Sequence, residues 1–300
     1  MKQVGLLGVP WSFSKERKGA GLGPYALRFG GILDMFQRLN VTVKDYHNMP
    51  FLTALEEETF FYHEDLEAIT YKLKELQDIL CMMALDVETP LILGGDQLIA
   101  LSTIGAYRKS GKRHNVIWVN AHPDLAKTYQ PKNHSGNTLA SALGIGPTDF
   151  CQVMDNQPLH PEELVIMGTR RVMEEEWRTI QECQIRHYDM TKIDQMGMGL
   201  VMDEVLKWLS KTDRQVDLIL DIDAIDPAFA PGTDYLSSGG LYYRELDYLM
   251  ENLALSGRLA SITITGLNPL LDEGNKTATL VIALLERYFQ MKYNLRLQAE

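Results

Sequence analysis

Short, predominantly apolar runs separated by longer amphipathic stretches set the rhythm of this chain. The runs are Val4–Val9, Pro90–Leu93 (PLIL), Val116–Val119 (VIWV), Leu164–Met167 (LVIM), Val216–Leu220 (VDLIL) and Leu259–Ile264 (LASITI), with Val41–Tyr46 (VTVKDY) as a more polar companion. Each has the length of a strand, and near-continuous apolar content is what a strand carries when both faces of its sheet are covered. Between them, His63–Leu85 places Leu66, Ile69, Leu73, Leu76, Leu80 and Met83 at intervals of three or four, which draws one apolar stripe along a helix. Leu98–Lys109, Glu174–Cys183, Gly197–Ser210, Tyr243–Ser256 and Thr277–Phe289 are predicted as further covering helices. Strands alternating with helices predict an α/β fold with right-handed crossovers. A Gly-rich loop, Lys18–Gly23, follows the first strand. His122–Gly136 is polar and has neither helical nor strand period. It is predicted as a long loop leaving a strand end, where open parallel sheets bind ligands.

No Pro/Ser-rich linker, internal repeat or low-complexity tract interrupts this pattern, so one domain over residues 1–300 is expected. Hydrophobic residues at 45% and charged residues at 23% are ordinary for a globular chain. The net charge of -11, from 29 Lys+Arg against 40 Asp+Glu, argues against nucleic acid or an anionic membrane as partner, because both need a basic surface. Cys81, Cys151 and Cys183 show no CxxC spacing and read as reduced packing residues. The N-terminus lacks the length and cleavage site of a secretory signal, and no apolar run approaches the ~20 residues that cross a bilayer. A cytoplasmic protein is expected.

Three polar clusters follow apolar runs directly. Gly94-Gly95-Asp96-Gln97 follows PLIL, Asn120-Ala121-His122-Pro123-Asp124 follows VIWV, and Asp221-Ile222-Asp223-Ala224-Ile225-Asp226-Pro227 follows LIL. In a parallel sheet these ends share one edge. Residues two apart on an extended segment point the same way, so His122 with Asp124, and Asp221 with Asp223, present pairs to one site. Carboxylates with imidazole suit a divalent transition metal such as Mn²⁺ or Zn²⁺. Taken singly, each cluster has a plainer reading. A strand-end Asp, Asp226 in particular, caps the next helix, and a lone His122 is a hydrogen-bonded loop or core histidine.

In order and together, the motifs resemble the ureohydrolase (arginase/agmatinase/formiminoglutamase) family. GGDQ resembles its GGDHS segment, WVNAHPD its DAHxD segment, and Ser135-Gly136-Asn137 its SGN substrate loop. DIDAIDPAFAPGTDYLSSGGLYYRE closely resembles its DxDxxDP…GGL…E segment, GVPWSFSKERKGAGLGPYALR its opening loop, and Asn268-Pro269 its late ExNP motif. The resemblance runs from about residue 4 to about residue 287. It implies a three-layer αβα sandwich around a mostly parallel sheet of about eight strands. It implies a binuclear manganese centre whose bridging hydroxide attacks a guanidino or amidino carbon, since bound metal lowers the pKa of water. It also implies a homo-oligomer, trimeric or hexameric. On that pattern His122, Asp124, Asp221 and Asp223 match metal ligands, and Ser135 and Asn137 match the substrate loop.

Several positions depart from the family pattern. Gln97 stands in place of a His ligand and Asn120 in place of a metal-bridging Asp. Leu139 stands where arginases place a His proton shuttle, and Gly266 where a Glu grips the guanidinium. Tyr235 replaces a small hydroxyl residue, and Arg171 lies near an Asp that receives the substrate's amino group. Two dications ~3.5–4 Å apart repel unless anions lie between them, so losing the bridging charge weighs most. The reading is a family member with a degraded metal site that binds a small molecule or serves a regulatory or structural role. The alternative is a hydrolase using one weakly held metal at His122, Asp221 and Asp223, with Asn120 as a neutral ligand. Without metal, the clustered carboxylates either take up protons or draw in a basic side chain. Lys127, three residues beyond Asp124, is the candidate for the second outcome, its plainer reading being a solvated loop lysine.

Overall fold

The computed structural model describes residues 3–13, 19–53, 56, 65–129 and 133–294. Eight strands form one sheet: β1 (Gln3–Val9), β2 (Thr42–Asn48), β3 (Thr89–Gly94), β4 (Asn115–Val119), β5 (Leu164–Met167), β6 (Arg186–Tyr188), β7 (Val216–Asp221) and β8 (Leu259–Thr265). Their order is β2-β1-β3-β8-β7-β4-β5-β6, and every neighbouring pair is parallel. Helices flank both faces, which is the expected αβα sandwich.

The apolar runs explain the layering. Along β3, Leu91 and Leu93 enter one buried cluster while Ile92 enters the other; along β7, Leu218 and Leu220 divide from Ile219 in the same way. Successive side chains point to opposite faces, so a strand buried on both sides is apolar throughout. Asp217, the polar break in VDLIL, is buried and accepts from Ser261 Oγ at 2.8 Å, with His114 Nδ1 at 3.1 Å. The helix Leu66–Asp86 turns Ile69, Leu73, Leu76, Leu80 and Met83 inward, and Asp65 caps it by accepting from Ala68 N. The proposed start at His63 lies outside the described residues.

Differences from the sequence reading fall at elements whose hydrophobic pattern is short or broken. Strand β6 was not expected. It has three residues on the sheet edge and only Tyr188 is buried. Two seven-residue helices, Gly23–Phe29 and Ile32–Arg38, were also missed, because Gly30-Gly31 interrupts their period; Gly31 has a φ of 96°. The helix expected from Gly197 begins at Met190, capped by Asp189, and is broken at Gly197, where φ is 74°. The predicted loop from Lys18 is a 3-10 turn over Gly19–Leu22, Lys18 itself lying outside the described residues. Among the described residues no helix is long and apolar enough to cross a membrane.

Candidate functional site

The four central strands, β3, β8, β7 and β4, are contiguous, and their C-terminal ends build the site. Gln97 follows β3, Asn120 to Asp124 follow β4, Asp221 ends β7, Thr265 ends β8 and Gly266 follows it. Gln97, Asn120, His122, Asp124, Asp221 and Asp223 all line one cavity of about 360 Å³. The expected convergence is therefore present. Ser135 lines this cavity as well. Asn137, its partner on the expected substrate loop, does not: it is buried and donates to Ala126 O at 2.6 Å and Thr128 O at 2.8 Å, bracing the preceding loop. Leu139 is buried in the core, its amide donating to Asp124 O at 3.0 Å.

Local turns explain why the carboxylates stand where they do. Asp96 caps a 3-10 turn over Gln97–Ile99, accepting from Leu98 N at 2.9 Å and from Ser135 Oγ at 2.6 Å. Asp221 caps the turn Ile222–Ala224 by accepting from Asp223 N at 3.0 Å. Asp226 is a turn-former and does not cap the next helix, Tyr243–Ser256, whose N-cap is Tyr242. It accepts from Ala228 N, Gly239 N and Gly240 N; partial burial raises its carboxyl, but these amides outweigh that and hold it below the ordinary range. Asp124 has a φ of 52°, a conformation uncommon outside glycine, and its carbonyl receives both Leu139 N and Ala140 N.

The polar groups of the cavity floor are tied chiefly to one another. His122 Nδ1 meets Asp223 Oδ2 at 2.7 Å, and Asp223 Oδ1 accepts from Ala121 N at 3.0 Å. Asn120 Nδ2 donates to Asp124 Oδ2 at 2.8 Å, while Asn120 Oδ1 accepts from His122 N at 2.7 Å. Thr265 Oγ1 donates to Asp221 Oδ2 at 2.9 Å and also lies against Gln97 Oε1. Among the described residues, no group of three or more His, Cys, Asp or Glu side chains is arranged to hold a metal ion. Burial, then the charge of Asp223, pushes the Asp124 carboxyl well above the usual range, and the same two causes act on Asp221. Lys127 is exposed and does not line the cavity, so of the two ways to relieve crowded carboxylates, proton uptake fits the geometry and a lysine counter-charge does not.

Two arginines shape the surroundings. Arg170, unremarked in the sequence, sends its guanidinium into a cage of carbonyls: Ser237 O at 2.6 Å, Asp223 O at 2.7 Å and Ala224 O at 3.1 Å. Reaching more than fifty residues along the chain, it clamps the Asp223 turn to the 237 loop. Only its position in MGTRR, just after β5, hinted at it. Arg171 lines the cavity and a second hollow of about 440 Å³ that shares His122, Asp234 and Tyr235 with it, forming the mouth. The Tyr235 ring meets His122 edge-on at 5.5 Å. Gly266 has a φ of 77°, and a Cβ there would lie 2.4 Å from Asp221 Oδ1.

A sequence profile of the Arginase family matches residues 2–290. The arginase of Bacillus caldovelox is 35% identical over 297 residues, covering 97% of this chain and 99% of its own. Its crystal structure at pH 5.6 superposes with a TM-score of 0.89 at 34% identity, covering 96% of this chain and 98% of that one. The Bacillus cereus arginase structure gives a TM-score of 0.87 at 33% identity over the same shares. Fold and near-full-length similarity agree, and the chain belongs to the arginase family.

Proposed function

We propose that this arginase-family chain binds a small molecule at the β3-β8-β7-β4 edge without acting as a binuclear manganese ureohydrolase. The observation that carries this reading is the pair of neutral amides, Gln97 and Asn120, at two of the six ligand positions. Asn120 cannot place a negative charge between two dications, and both ends of its amide are engaged, by His122 N and Asp124. His122, Asp124, Asp221 and Asp223 remain as oxygen and nitrogen donors. Asp124 is bonded to Asn120, Asp221 to Thr265 and the Asp223 amide, and Asp223 to His122 and the Ala121 amide; three carboxylates and one imidazole with no bridging charge do not fit the manganese pair the resemblance implies. The absence of a side chain at Gly266 and the burial of Leu139 support the same reading for substrate grip and proton transfer. The proposal retains one domain over residues 1–300, a cytoplasmic place and, as the resemblance implies, a trimeric or hexameric homo-oligomer; light scattering decides the assembly.

The test is elemental analysis of protein dialysed against Mn²⁺, with urea and ammonia release from a panel of guanidino and formimino compounds. The expected result is substoichiometric manganese and no release above a protein-free control. A full complement of two manganese ions per chain, or turnover of any compound in the panel, would refute the proposal.

A further inference from the structure

We propose that a separate hollow, at the edge of the sheet opposite the strand-end cavity, binds a phosphoryl group, carried by a small molecule or as free phosphate. The hollow encloses about 310 Å³, and its lining includes Asn115, Arg186, Trp208, Lys211, Thr212 and Arg214. Asn115 and Arg186 are the first residues of β4 and β6, and Arg214 stands just before β7. In a parallel sheet those N-terminal strand ends share one edge, away from Asp124 and Asp221 at the other. The inference therefore goes beyond the reading of the strand-end cavity and does not depend on its metal content.

Charge selects an anion. Arg186 and Lys211 line the hollow and make no ion pair among the described residues. Arg214 lies 3.3 Å from Glu163, but that carboxylate also serves Arg108 and Arg113, so one buried charge faces three guanidinium groups. The lining includes one carboxylate, Glu162, which is exposed and 3.9 Å from Arg214. The helix Met190–Leu209 ends at the hollow with its negative pole, yet its carbonyls at Leu206, Trp208 and Leu209 receive the amides of Ser210, Lys211 and Thr212. A partial charge of about half a unit, already met by those amides, does not offset three full cations. On a chain of net charge -11 this is a local reversal of sign, and a concave basic surface concentrates anions.

The donors are held in place. Arg186 lies over the Trp208 ring at 5.2 Å, and Trp208 is itself pinned by Nε1 donating to Glu162 O at 3.1 Å. A guanidinium stacked by its face keeps its in-plane N–H groups for a ligand. Thr212 Oγ1 accepts from Arg214 N at 3.4 Å, which leaves the hydroxyl proton to donate. Asn115 is 2% exposed, and its side-chain amide has no hydrogen bond among the described residues. A buried amide without a partner is costly, and this one borders the hollow, where a ligand oxygen completes it. Arg186 comes from a strand, Lys211 and Arg214 from the segment before β7. A single carboxylate occupies one guanidinium fork, whereas a phosphate dianion has three terminal oxygens to share among three cations.

Calorimetric titration of the full chain in EDTA, at constant ionic strength, tests this with inorganic phosphate, glycerol phosphate, malonate and chloride. Phosphate or glycerol phosphate should bind about tenfold more tightly than malonate. Tighter glycerol phosphate identifies an esterified ligand, and tighter phosphate the free ion. Lys211→Gln and Arg186→Gln should each weaken binding about tenfold, the loss expected for a charged hydrogen bond. Asn115→Asp, which keeps the shape and replaces a donor by a negative charge, should abolish binding. Lys207→Gln, on the same helix but outside the hollow, and Arg171→Gln, at the mouth of the other cavity, should leave it unchanged. Lys211 is exposed, so its variant keeps the test open even if the buried Asn115→Asp fails to fold. No binding beyond that of chloride, malonate as tight as phosphate, affinity unchanged in both Lys211→Gln and Arg186→Gln, or a loss confined to Arg171→Gln would each overturn the inference.

Discussion

Gln97 and Asp221 are joined through a single hydroxyl: Thr265 Oγ1 stands 2.9 Å from Asp221 Oδ2 and directly against the Gln97 amide. The three residues lie at the ends of β3, β7 and β8, so this contact stitches neighbouring strands at the point where the cavity begins. All three are buried, and Thr265 is fully so.

Thr265→Val keeps the shape and removes the hydroxyl, leaving a buried carboxyl and a buried amide each short of a partner. It should destabilise the protein by about 1–3 kcal/mol, the cost of unsatisfied buried polar groups, while Thr265→Ser should cost less. Urea denaturation of both variants measures this. Valine and serine variants of equal stability would show that the shared hydroxyl is not a structural link.

Gly266 is a position where only glycine fits. Its φ of 77°, its amide bonded to Gly95 O at 2.9 Å, and the 2.4 Å that would separate a Cβ from Asp221 Oδ1 all act together. Gly266→Ala should cost about 2 kcal/mol or more through backbone strain and displacement of Asp221. For the same reason, installing Glu at this position requires Asp221 to move first. A denaturation midpoint indistinguishable from the parent's in Gly266→Ala would reject the close-approach argument.

Gln97→His with Asn120→Asp should raise manganese stoichiometry, because the second substitution supplies charge between two metal positions. In the metal-free state the introduced carboxylate faces Asp124, where the Asn120 amide now donates, so the double variant should melt below the parent in EDTA and gain stability on adding Mn²⁺. On the proposed reading, the double variant should show no ureohydrolase activity, since Leu139 and Gly266 are unchanged. Manganese content equal to the parent's would show that these two positions do not limit metal binding.

The central strands were legible because burial on both faces leaves a continuous apolar run, as in PLIL, VIWV and LVIM. The site was legible for the same reason: each polar cluster begins where such a run stops. Strand β6 was not, because an edge strand of three residues with Arg186 and His187 partly exposed carries no run to detect. Arg170 was not, because its carbonyl partners at 223, 224 and 237 are brought to it only by the fold. Nor could spacing assign Asn137 to bracing the loop or turn Lys127 to solvent; both depend on how the chain wraps between Asp124 and Asn137.

Lys127→Ala should therefore leave the metal-free melting curve unchanged, within the roughly 0.5 kcal/mol of an ordinary surface substitution. A clear loss of stability would restore the lysine as a counter-charge to Asp124.

The last prediction concerns Glu163, far from the cavity. Its carboxylate is fully buried and bound by Arg108, by Arg113 Nε at 2.8 Å and by His160 N at 3.0 Å, with Arg214 Nη1 at 3.3 Å. Burial alone pushes the carboxyl up. The His160 amide and the Arg108 and Arg113 guanidinium groups outweigh it and hold the group below its ordinary value. A folded value below the unfolded one means the folded state binds the proton more weakly. The resulting stability is present in full above the unfolded value of about 4.3 and is lost as pH falls through the folded value. Glu163→Gln should remove this part of the acid sensitivity. At neutral pH it should also destabilise by about 3 kcal/mol, because the buried Arg108 loses its counter-charge. Denaturation across acid to neutral pH checks both halves. Parallel stability curves for parent and variant would reject the linkage, and a neutral-pH loss alone would leave Glu163 as a packing residue.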